Sequence, residues 1–596
     1  MSGIEAMRPL YLAADPTPVF AVLHPATGHV RERAVLLCPP FGWEEICSAR
    51  SRRAWSERLA ADGHSTLRFD LPGTGDSAGT PEDPDLVAAW IGATTSAAAW
   101  LRAASGCPTI VAVGIGLGGL IAARALDAGA PIDELVLWGV PARGRTLTRE
   151  LRAFSRLQAS ELPQGDDPLP DGALVVAGHL LSAGTVAALD ALDLETSVRS
   201  PSRALLLGRE GMQVDPSLRP ALERLGTDVR VADGPGFGAM MSEPHDARPP
   251  LVVFDTVASW LLGDFRAADR RSVPAGDPPP ELRTLELTVA GAGVRETPVL
   301  VEQPFGSLFG VLAEPAGPQA TVCVVLLNAG AITHIGPNRM WVEIARRWAA
   351  RGVPVLRLDI GGIGESDGPS DAWSDDASFY VPEFVDEARA ALDVLQTRGL
   401  GPRFVLGGLC SGAHWSLHGA LRDERVTGAL MINPRALMWD RWAITVALMG
   451  RLRALHSAHD GRGAARAAPS RSSVALRAAI RRLLLFLVRP WERARARHLD
   501  RAFDQLRDTG KSALVCFTGD EPLYQQFERD GRLTRLGRWP DLEIDLIAAT
   551  PDTHTLRPLR MQREVHASLD SAIARELQRG AGAPVVPSAA RRAATP

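Results

Sequence analysis

A cysteine stands between two glycines at the end of an apolar run. The residues from Phe404 to Trp415 read FVLGGLCSGAHW, so Gly408 and Gly412 lie two positions on either side of Cys410. This spacing predicts a strand that turns sharply into a helix, with the thiol held out of the sheet as a nucleophile. The backbone N–H of Ser411 would then face a developing oxyanion. The alternative is a buried thiol that packs at a tight junction.

A cysteine nucleophile needs a base and an acid, and later segments of the chain offer both. His554 follows the last apolar run, and Asp520 and Glu521 follow the run before it. We expect His554 to be the base and Asp520 to orient it, with Glu521 as the alternative acid. A surface histidine and a helix cap are the alternatives. A helix N-terminus and an imidazole are expected to lower the pKa of the Cys410 thiol.

The second oxyanion donor is expected from the loop LLNAGAITHIGPNRMW. Its backbone N–H groups at Ala329 or Gly330 are the candidates. His334 and Arg339 stand nearby, and we expect each to be exposed or to cap a helix.

Twelve short apolar runs alternate with helical patterns and set the expected fold. Continuous apolar runs separated by helices predict parallel strands buried on both faces, so the fold class is α/β. Short stretches before each set are compatible with antiparallel strands. The twelve runs are AVLLCPP, STLRFDLPG, TIVAVGIG, ELVLWGVP, RALLLGRE and DVRVADGP, then VCVVLLNAG, VPVLRLDIGG, RFVLGGLC, GALMINP, SALVCFTGD and LEIDLIAA.

The two sets of runs indicate that one domain has been duplicated. The stretch from Ala54 aligns with the stretch from Met340, which places Trp55 against Trp341 and Asp70 against Asp359. We therefore predict a first domain at 8–266, a linker at 267–283, a second domain at 284–578 with a helical cap at about 435–510, and a disordered tail at 579–596.

The first copy departs from the second at the nucleophile position. Gly116 stands where the second copy has Cys410, which leaves no atom to attack a carbonyl. Glu210, Asp215 and His245 are expected to be remnants of an acid and a base. We expect a catalytically inactive domain kept for packing, partner binding or shaping the second site, and the less favoured alternative is that His245 or a glutamate activates water.

The predicted cap alternates Leu and Phe with Arg at helical spacing. One interpretation is a lid whose apolar face covers the active site. The other is a basic surface that docks an acidic acyl-carrier protein or contacts an anionic membrane. That surface would be formed by Arg477, Arg481, Arg482 and Arg489.

The composition excludes several classes of protein. The 596 residues carry a net charge of -4, so no basic excess favours nucleic acid. Six scattered cysteines predict neither a disulfide scaffold nor a zinc site, and no cofactor is expected. The first residues lack the layout of a signal peptide, and no apolar run is long enough to cross a bilayer, so we expect a cytoplasmic protein.

These motifs resemble the α/β-hydrolase superfamily in two consecutive copies. The first copy, with CPPFGWEEICSARSRRAW and FGAMMSEPHDARPP, resembles the hydrolases associated with the exosortase A system. The second is similar to S33-type peptidases in strand order and, with its cysteine elbow, to dienelactone hydrolases and polyhydroxyalkanoate synthases. The resemblance implies two α/β-hydrolase domains and triad geometry, but no substrate.

The expected reaction is acyl cleavage through a Cys410 acyl-enzyme, with a small-molecule ester or thioester as substrate. Sulfur attack on a thioester is nearly isoenergetic, so transfer from a CoA or carrier-protein thioester to an alcohol or amine is an alternative to hydrolysis. A non-catalytic interaction protein, in which Cys410 only packs, is the alternative from another class.

Overall fold

The structure is a computed structural model that describes residues 7–161, 169–263, 277–369, 376–438, 497–519, 521–547 and 554–580. These residues form two compact units, each assembled from separate parts of the chain. The first unit takes its described residues from Met1–Ala320, Ala331–Gly368 and Ala548–Ala567. The second unit takes them from Thr321–Gly330, Pro369–Ile547 and Ser568–Pro596.

The described residues up to 263 alternate strands with helices. The strands are β1 (Arg8–Leu12), β2 (Val19–His24), β3 (Arg33–Cys38), β4 (Thr66–Phe69), β5 (Thr109–Ile115), β6 (Glu134–Trp138), β7 (Leu174–Val176), β8 (His179–Leu181), β9 (Arg203–Leu207) and β10 (Asp228–Ala232). The helices are α1 (Trp43–Ala61), α2 (Leu86–Ser105), α3 (Leu117–Ala128), α4 (Gly144–Glu161), α5 (Ala183–Asp190), α6 (Leu218–Arg224), α7 (Phe237–Met240) and α8 (Leu251–Leu262).

The described residues from 277 onward repeat this alternation. Their strands are β11 (Glu281–Leu282), β12 (Leu285–Val289), β13 (Ala292–Gln303), β14 (Gly306–Pro315), β15 (Val322–Leu327), β16 (Val355–Leu358), β17 (Arg403–Leu409), β18 (Val426–Ile432), β19 (Ser512–Thr518) and β20 (Leu542–Ile547). Their helices are α9 (Met340–Ala350), α10 (Glu383–Thr397), α11 (Ser411–Arg422), α12 (Pro522–Arg529), α13 (Arg532–Leu536) and α14 (Leu559–Gly580).

A nine-stranded sheet forms the centre of the first unit, in the order β10-β9-β6-β5-β3-β4-β2-β1-β11. The strands from β10 to β4 are parallel, and β2 and β1 are antiparallel to their neighbours. Alternate residues of each parallel strand face opposite sides. Leu36 packs with the core that includes α2 and α3, whereas Val35 and Leu37 pack with the core that includes α1 and α8. Burial on both faces explains the continuous apolar runs.

The later strands divide between the units. In the first unit β12, β13, β14 and β16 pair antiparallel in that order. In the second unit β15, β17, β18, β19 and β20 pair parallel in that order. All twelve apolar runs are therefore strands, and the predicted α/β class with two large sheets flanked by helices is confirmed.

The predicted linker, cap and tail lie only partly within the described residues. The last residues of the predicted linker form β11, where Tyr11 pairs with Leu282 and Leu12 with Glu281. Most of the predicted cap, including its four arginines, lies outside the described residues, and so does the predicted disordered tail beyond Gly580. The domain boundaries stay a prediction.

Candidate active site

Cys410 occupies a sharp turn between β17 and α11 in the second unit. Its backbone has φ 58° and ψ -108°, in the left-handed region that side chains rarely adopt. Its N–H donates to the carbonyl of Ile432 at 2.9 Å, which ties the turn to β18. A Cβ at Gly408 would lie 2.5 Å from the carbonyl carbon of Gly412, and one at Gly412 would lie 2.3 Å from the carbonyl oxygen of Asn328. Both glycines are therefore required by close backbone approach.

The sulfur of Cys410 is the most accessible thiol of the chain. Cys410 is half-buried, whereas the other five cysteines are buried. The hydroxyl of Tyr380 lies 3.8 Å from Sγ of Cys410, within hydrogen-bonding reach of a sulfur atom. The ring of Tyr380 packs edge-on against His414, with centroids 5.1 Å apart. Tyr380 is a contact that sequence reasoning missed.

His414 supports this arrangement as a neutral group. Its Nδ1 donates to the carbonyl of Ala436 at 2.8 Å. Burial lowers the pKa of His414 to about 3, and the neighbouring His418 adds to the effect. An uncharged imidazole held in this way gives Tyr380 a rigid surface to pack on.

The loop after β15 lies against the start of α11, as expected for an oxyanion loop. The N–H of Gly330 donates to the Oγ of Ser411 at 3.0 Å, so a side chain occupies this candidate donor. Ala329 is buried, and among the described residues no group accepts a hydrogen bond from its N–H. Of the two candidates, Ala329 is therefore the better placed to donate to a substrate.

The structure describes the predicted base and one of the two predicted acids. His554 is half-buried and belongs to the first unit, whereas Cys410 belongs to the second. Glu521 is buried in front of α12 in the second unit, and Asp520 lies outside the described residues. The roles of His554, Asp520 and Glu521 stay predictions.

Gly116 repeats the turn of Cys410 in the first unit. Its φ is 52° and its ψ is -117°, and its N–H donates to the carbonyl of Trp138 at 3.0 Å. A Cβ at Gly116 would meet no atom closer than Oε2 of Glu44, at 3.5 Å. Packing does not force glycine here, although the backbone conformation favours it.

The residues expected to be remnants of an acid and a base in the first copy have local structural contacts. Glu210 accepts N–H bonds from Gly236 and Gly238. Asp215 accepts an N–H bond from Ala142 at 2.9 Å, and His245 lies 3.3 Å from Asp246. None of these contacts joins Glu210, Asp215 and His245 to one another or to Gly116.

His334 and Arg339 are buried, so the first expectation, that they are exposed, is wrong for both. Arg339 does stand at the N-cap position of α9, as the second expectation allowed, but its side chain makes no capping hydrogen bond. His334 is only 2% exposed, with Nδ1 at 2.7 Å from Asp359 and Nε2 at 2.6 Å from Asp76. Burial alone would lower the pKa of His334, but the two carboxylates raise it to about 10. His334 is therefore an imidazolium that donates from both nitrogens.

Arginines complete this buried ionic cluster of the first unit. Arg357 pairs with Asp76 and, at 3.0 Å, with Glu296. Arg346 pairs with Glu296 at 2.6 Å. These side chains are at most 9% exposed, so water cannot solvate their charges. Each charge is stabilised instead by its oppositely charged partners.

Equivalent positions of the two aligned stretches exchange partners within the first unit. Arg68 stands two residues before Asp70, as Arg357 stands two residues before Asp359. Arg68 pairs with Glu365 at 2.6 Å, whereas Arg357 pairs with Asp76.

The aligned residues Arg53 and Arg339 exchange partners in the same way. Arg53 donates to the carbonyls of Gly364 and Ser366. Arg339 donates to the carbonyls of Gly75 and Ser77, and to that of Gly79.

No protein-family model matches the sequence, and no curated protein matches it. Solved structures do. Est1E from Butyrivibrio proteoclasticus, solved with ferulic acid, is 18% identical over 42% of this chain and 98% of its own, with a TM-score of 0.32. An α/β serine hydrolase without a lid from Xanthomonas campestris is 17% identical over 44% and 98%, with a TM-score of 0.29. Mouse α/β hydrolase domain-containing protein 10 is 17% identical over 43% and 98%, with a TM-score of 0.29.

The chain is similar to each of these proteins. The sequence identity and the TM-scores are low, so the activity of this chain must be inferred from its own residues. Among the described residues, no helix is both long and apolar enough to span a membrane. No group of three or more potential metal-ligating side chains occurs in the same part of the chain.

Proposed function

We propose that the protein is an α/β-hydrolase-type enzyme that cleaves an ester or thioester through an acyl-enzyme on Cys410. The observation that carries the proposal is the strained turn at Cys410, which presents the least buried thiol of the chain at the start of α11. A side chain in the left-handed region costs about 1 to 3 kcal/mol and is retained chiefly at functional sites. A thiol kept only for packing would gain nothing from this conformation.

The proposed first step is attack of the Cys410 sulfur on the substrate carbonyl. His554 takes the thiol proton and later gives it to the leaving group, and Asp520 or Glu521 orients the imidazole. The N–H groups of Ser411 and Ala329 stabilise the oxyanion, since one opens α11 and the other lies in the adjacent loop. The resulting thioester is then resolved by water, which regenerates the thiol.

Tyr380 is proposed as a positioning residue for the sulfur. Its hydroxyl can donate to a thiolate at 3.8 Å, and a hydrogen bond to the charged form favours that form. Because His414 fixes the ring of Tyr380, the hydroxyl is held in place before substrate arrives. Tyr380 makes no bond to the substrate in this scheme.

The first test is selective labelling of the native protein. A limiting thiol alkylator at neutral pH should modify Cys410 well before Cys323 and Cys516, with the labelled sites identified by mass spectrometry. Labelling of Cys410 no faster than these two buried thiols would favour a non-catalytic interaction protein.

The second test is turnover of p-nitrophenyl esters and short acyl-CoA thioesters. Cys410→Ala should abolish release of the leaving group, and unaffected release would contradict the proposal. Faster release with an added alcohol or amine, together with a new acyl product, would identify the enzyme as an acyltransferase.

Tyr380→Phe tests the positioning role. The pH profile of Cys410 alkylation should move to higher pH, and the rate at neutral pH should fall by about two- to tenfold, the effect of one hydrogen bond. Tyr524→Phe, at a half-buried position on α12, is the matched control. Identical profiles for both variants would remove Tyr380 from the mechanism.

A further inference from the structure

A cavity of about 160 Å³ lies within the first unit, and one face of α1 forms part of its wall. Glu45, Ala49 and Arg52 line it from positions i, i+4 and i+7 of that helix. Trp90 and Leu181 supply apolar wall from other elements. A dry cavity of about 150 Å³ is large enough to hold benzene, so this one has room for an apolar group of that size.

The polar groups of the α1 wall are buried and are not closely paired. Oε1 of Glu45 lies 3.8 Å from the guanidinium of Arg52, which is too far for a hydrogen bond. Among the described residues, no group hydrogen-bonds the Glu45 carboxyl. Arg52 donates to the Oγ of Ser48 and to the carbonyl of Glu45, both at 3.2 Å. A polar group of a ligand can therefore bind both side chains without breaking an existing ion-pair hydrogen bond.

The lining holds two buried arginines that attract an anion, together with the carboxyl groups of Glu45, Glu343 and the exposed Glu82. Burial and, second, the nearby Asp70 together raise the pKa of Glu45 to about 8, so Glu45 is protonated at neutral pH. Arg339 also lines the cavity, and burial lowers its pKa only to about 10. Its three side-chain hydrogen bonds go to backbone carbonyls and not to carboxylates. Arg52 and Arg339 thus remain charged beside an uncharged acid.

Two further polar atoms of the lining are buried without a hydrogen-bond partner among the described residues. They are Nε2 of His179 and Oδ1 of Asn338. Burial, with Arg339 as the second cause, lowers the pKa of His179 to about 4, so its ring is neutral. A buried polar atom without a partner is costly. A carboxylate can accept from an N–H at Nε2 of His179, whereas Oδ1 of Asn338 is an acceptor that a water molecule can satisfy.

We propose that this cavity is a binding site for a small carboxylate whose apolar body is about the size of a benzene ring. The carboxylate would accept from the Arg52 guanidinium and from the protonated Glu45, and the apolar body would lie against Trp90 and Leu181. This site requires no chemistry at Cys410 and does not rest on the proposed esterase function.

Calorimetric titration of the full chain with benzoate tests the site, with benzyl alcohol and benzylamine as uncharged and cationic probes of the same shape. Benzoate should bind with one site per chain and at least tenfold more tightly than either analogue. Equal or tighter binding of benzylamine, or no binding of benzoate, would overturn the proposal.

Variants locate the bound benzoate. Arg52→Gln should weaken binding at least tenfold, whereas Arg58→Gln, a half-exposed arginine on the same helix, should not change it. Ala49→Leu fills the cavity and should also abolish binding, which keeps the test valid if Arg52→Gln fails to fold. Cys410→Ala should bind benzoate as the native chain does. Binding lost only in Cys410→Ala would refute the cavity site, and binding retained there would say nothing against the esterase proposal.

Discussion

Gly116 and Cys410 have nearly the same backbone conformation, at φ 52° and ψ -117° and at φ 58° and ψ -108°. Both residues precede a twelve-residue helix, and both donate their N–H to the end of the neighbouring strand. Of these two residues, Cys410 alone has a Cβ in this region, so of the two turns that of Cys410 carries the backbone strain.

This comparison predicts that glycine is more stable than alanine at both turns. Cys410→Gly should be more stable than Cys410→Ala by about 1 kcal/mol, because glycine adopts positive φ without a Cβ penalty. Gly116→Ala should lose about 1 kcal/mol despite having room for the methyl group. Urea denaturation midpoints measure all three, and equal stability of the two Cys410 variants would show that the turn is unstrained.

Ser411→Ala tests the oxyanion loop. The substitution keeps the N–H of residue 411 and removes the hydroxyl that accepts from Gly330, so it frees the N–H of Gly330 as a third donor beside those of residue 411 and Ala329. We expect kcat on a p-nitrophenyl ester to stay at the native value or rise. A loss of about a hundredfold or more, comparable to removal of an oxyanion donor, would mean that the serine hydroxyl itself takes part in catalysis.

His334 should make the first unit sensitive to alkali. A histidine whose folded pKa is raised to about 10 contributes its full stability below pH 6.5 and loses it as pH rises toward 10. The free energy of unfolding should fall by about 1.4 kcal/mol per pH unit across that window through this one group. His334→Gln should flatten the slope, and denaturation curves between pH 6.5 and 10 compare the two proteins. The same slope in both would place the titrating group elsewhere.

The pair of Arg68 and Glu365 should behave as a buried ion pair. Arg68→Met alone should destabilise the protein by about 3 kcal/mol, because it leaves the Glu365 carboxylate, only 13% exposed, without its main partner. The double variant with Glu365→Leu should recover most of this loss, which a double-mutant cycle measures. Additive losses would show that the two side chains act independently.

The same ion pair should also make the free energy of unfolding fall at low pH. Burial alone would raise the pKa of Glu365, but Arg68 and Arg53 lower it to about 2. Its contribution is present above pH 4.5 and is lost as pH falls from 4.5 toward 2. Glu365→Gln should remove this part of the acid sensitivity of the native chain.

The strands and the turn at Cys410 could be predicted because their causes are local. A run such as VCVVLL must be buried on both faces, and two glycines around a cysteine indicate a close strand-helix crossing. The burial of His334 could not be predicted from its own segment, since one of its two carboxylates, Asp76, lies 258 residues earlier. Tyr380 was missed for a similar reason, because nothing in its spacing indicates that it reaches Cys410.

The exchange of partners by Arg68 and Arg357 has a consequence for biosynthesis. Arg68 meets Glu365 across 297 residues, so a nascent chain emerging from the ribosome carries its early arginines and aspartates for a long time before their counterions are translated. The first sheet can assemble earlier, but Arg68 of β4 cannot meet its counterion until residue 365 is available. Slow maturation of the first unit is therefore expected.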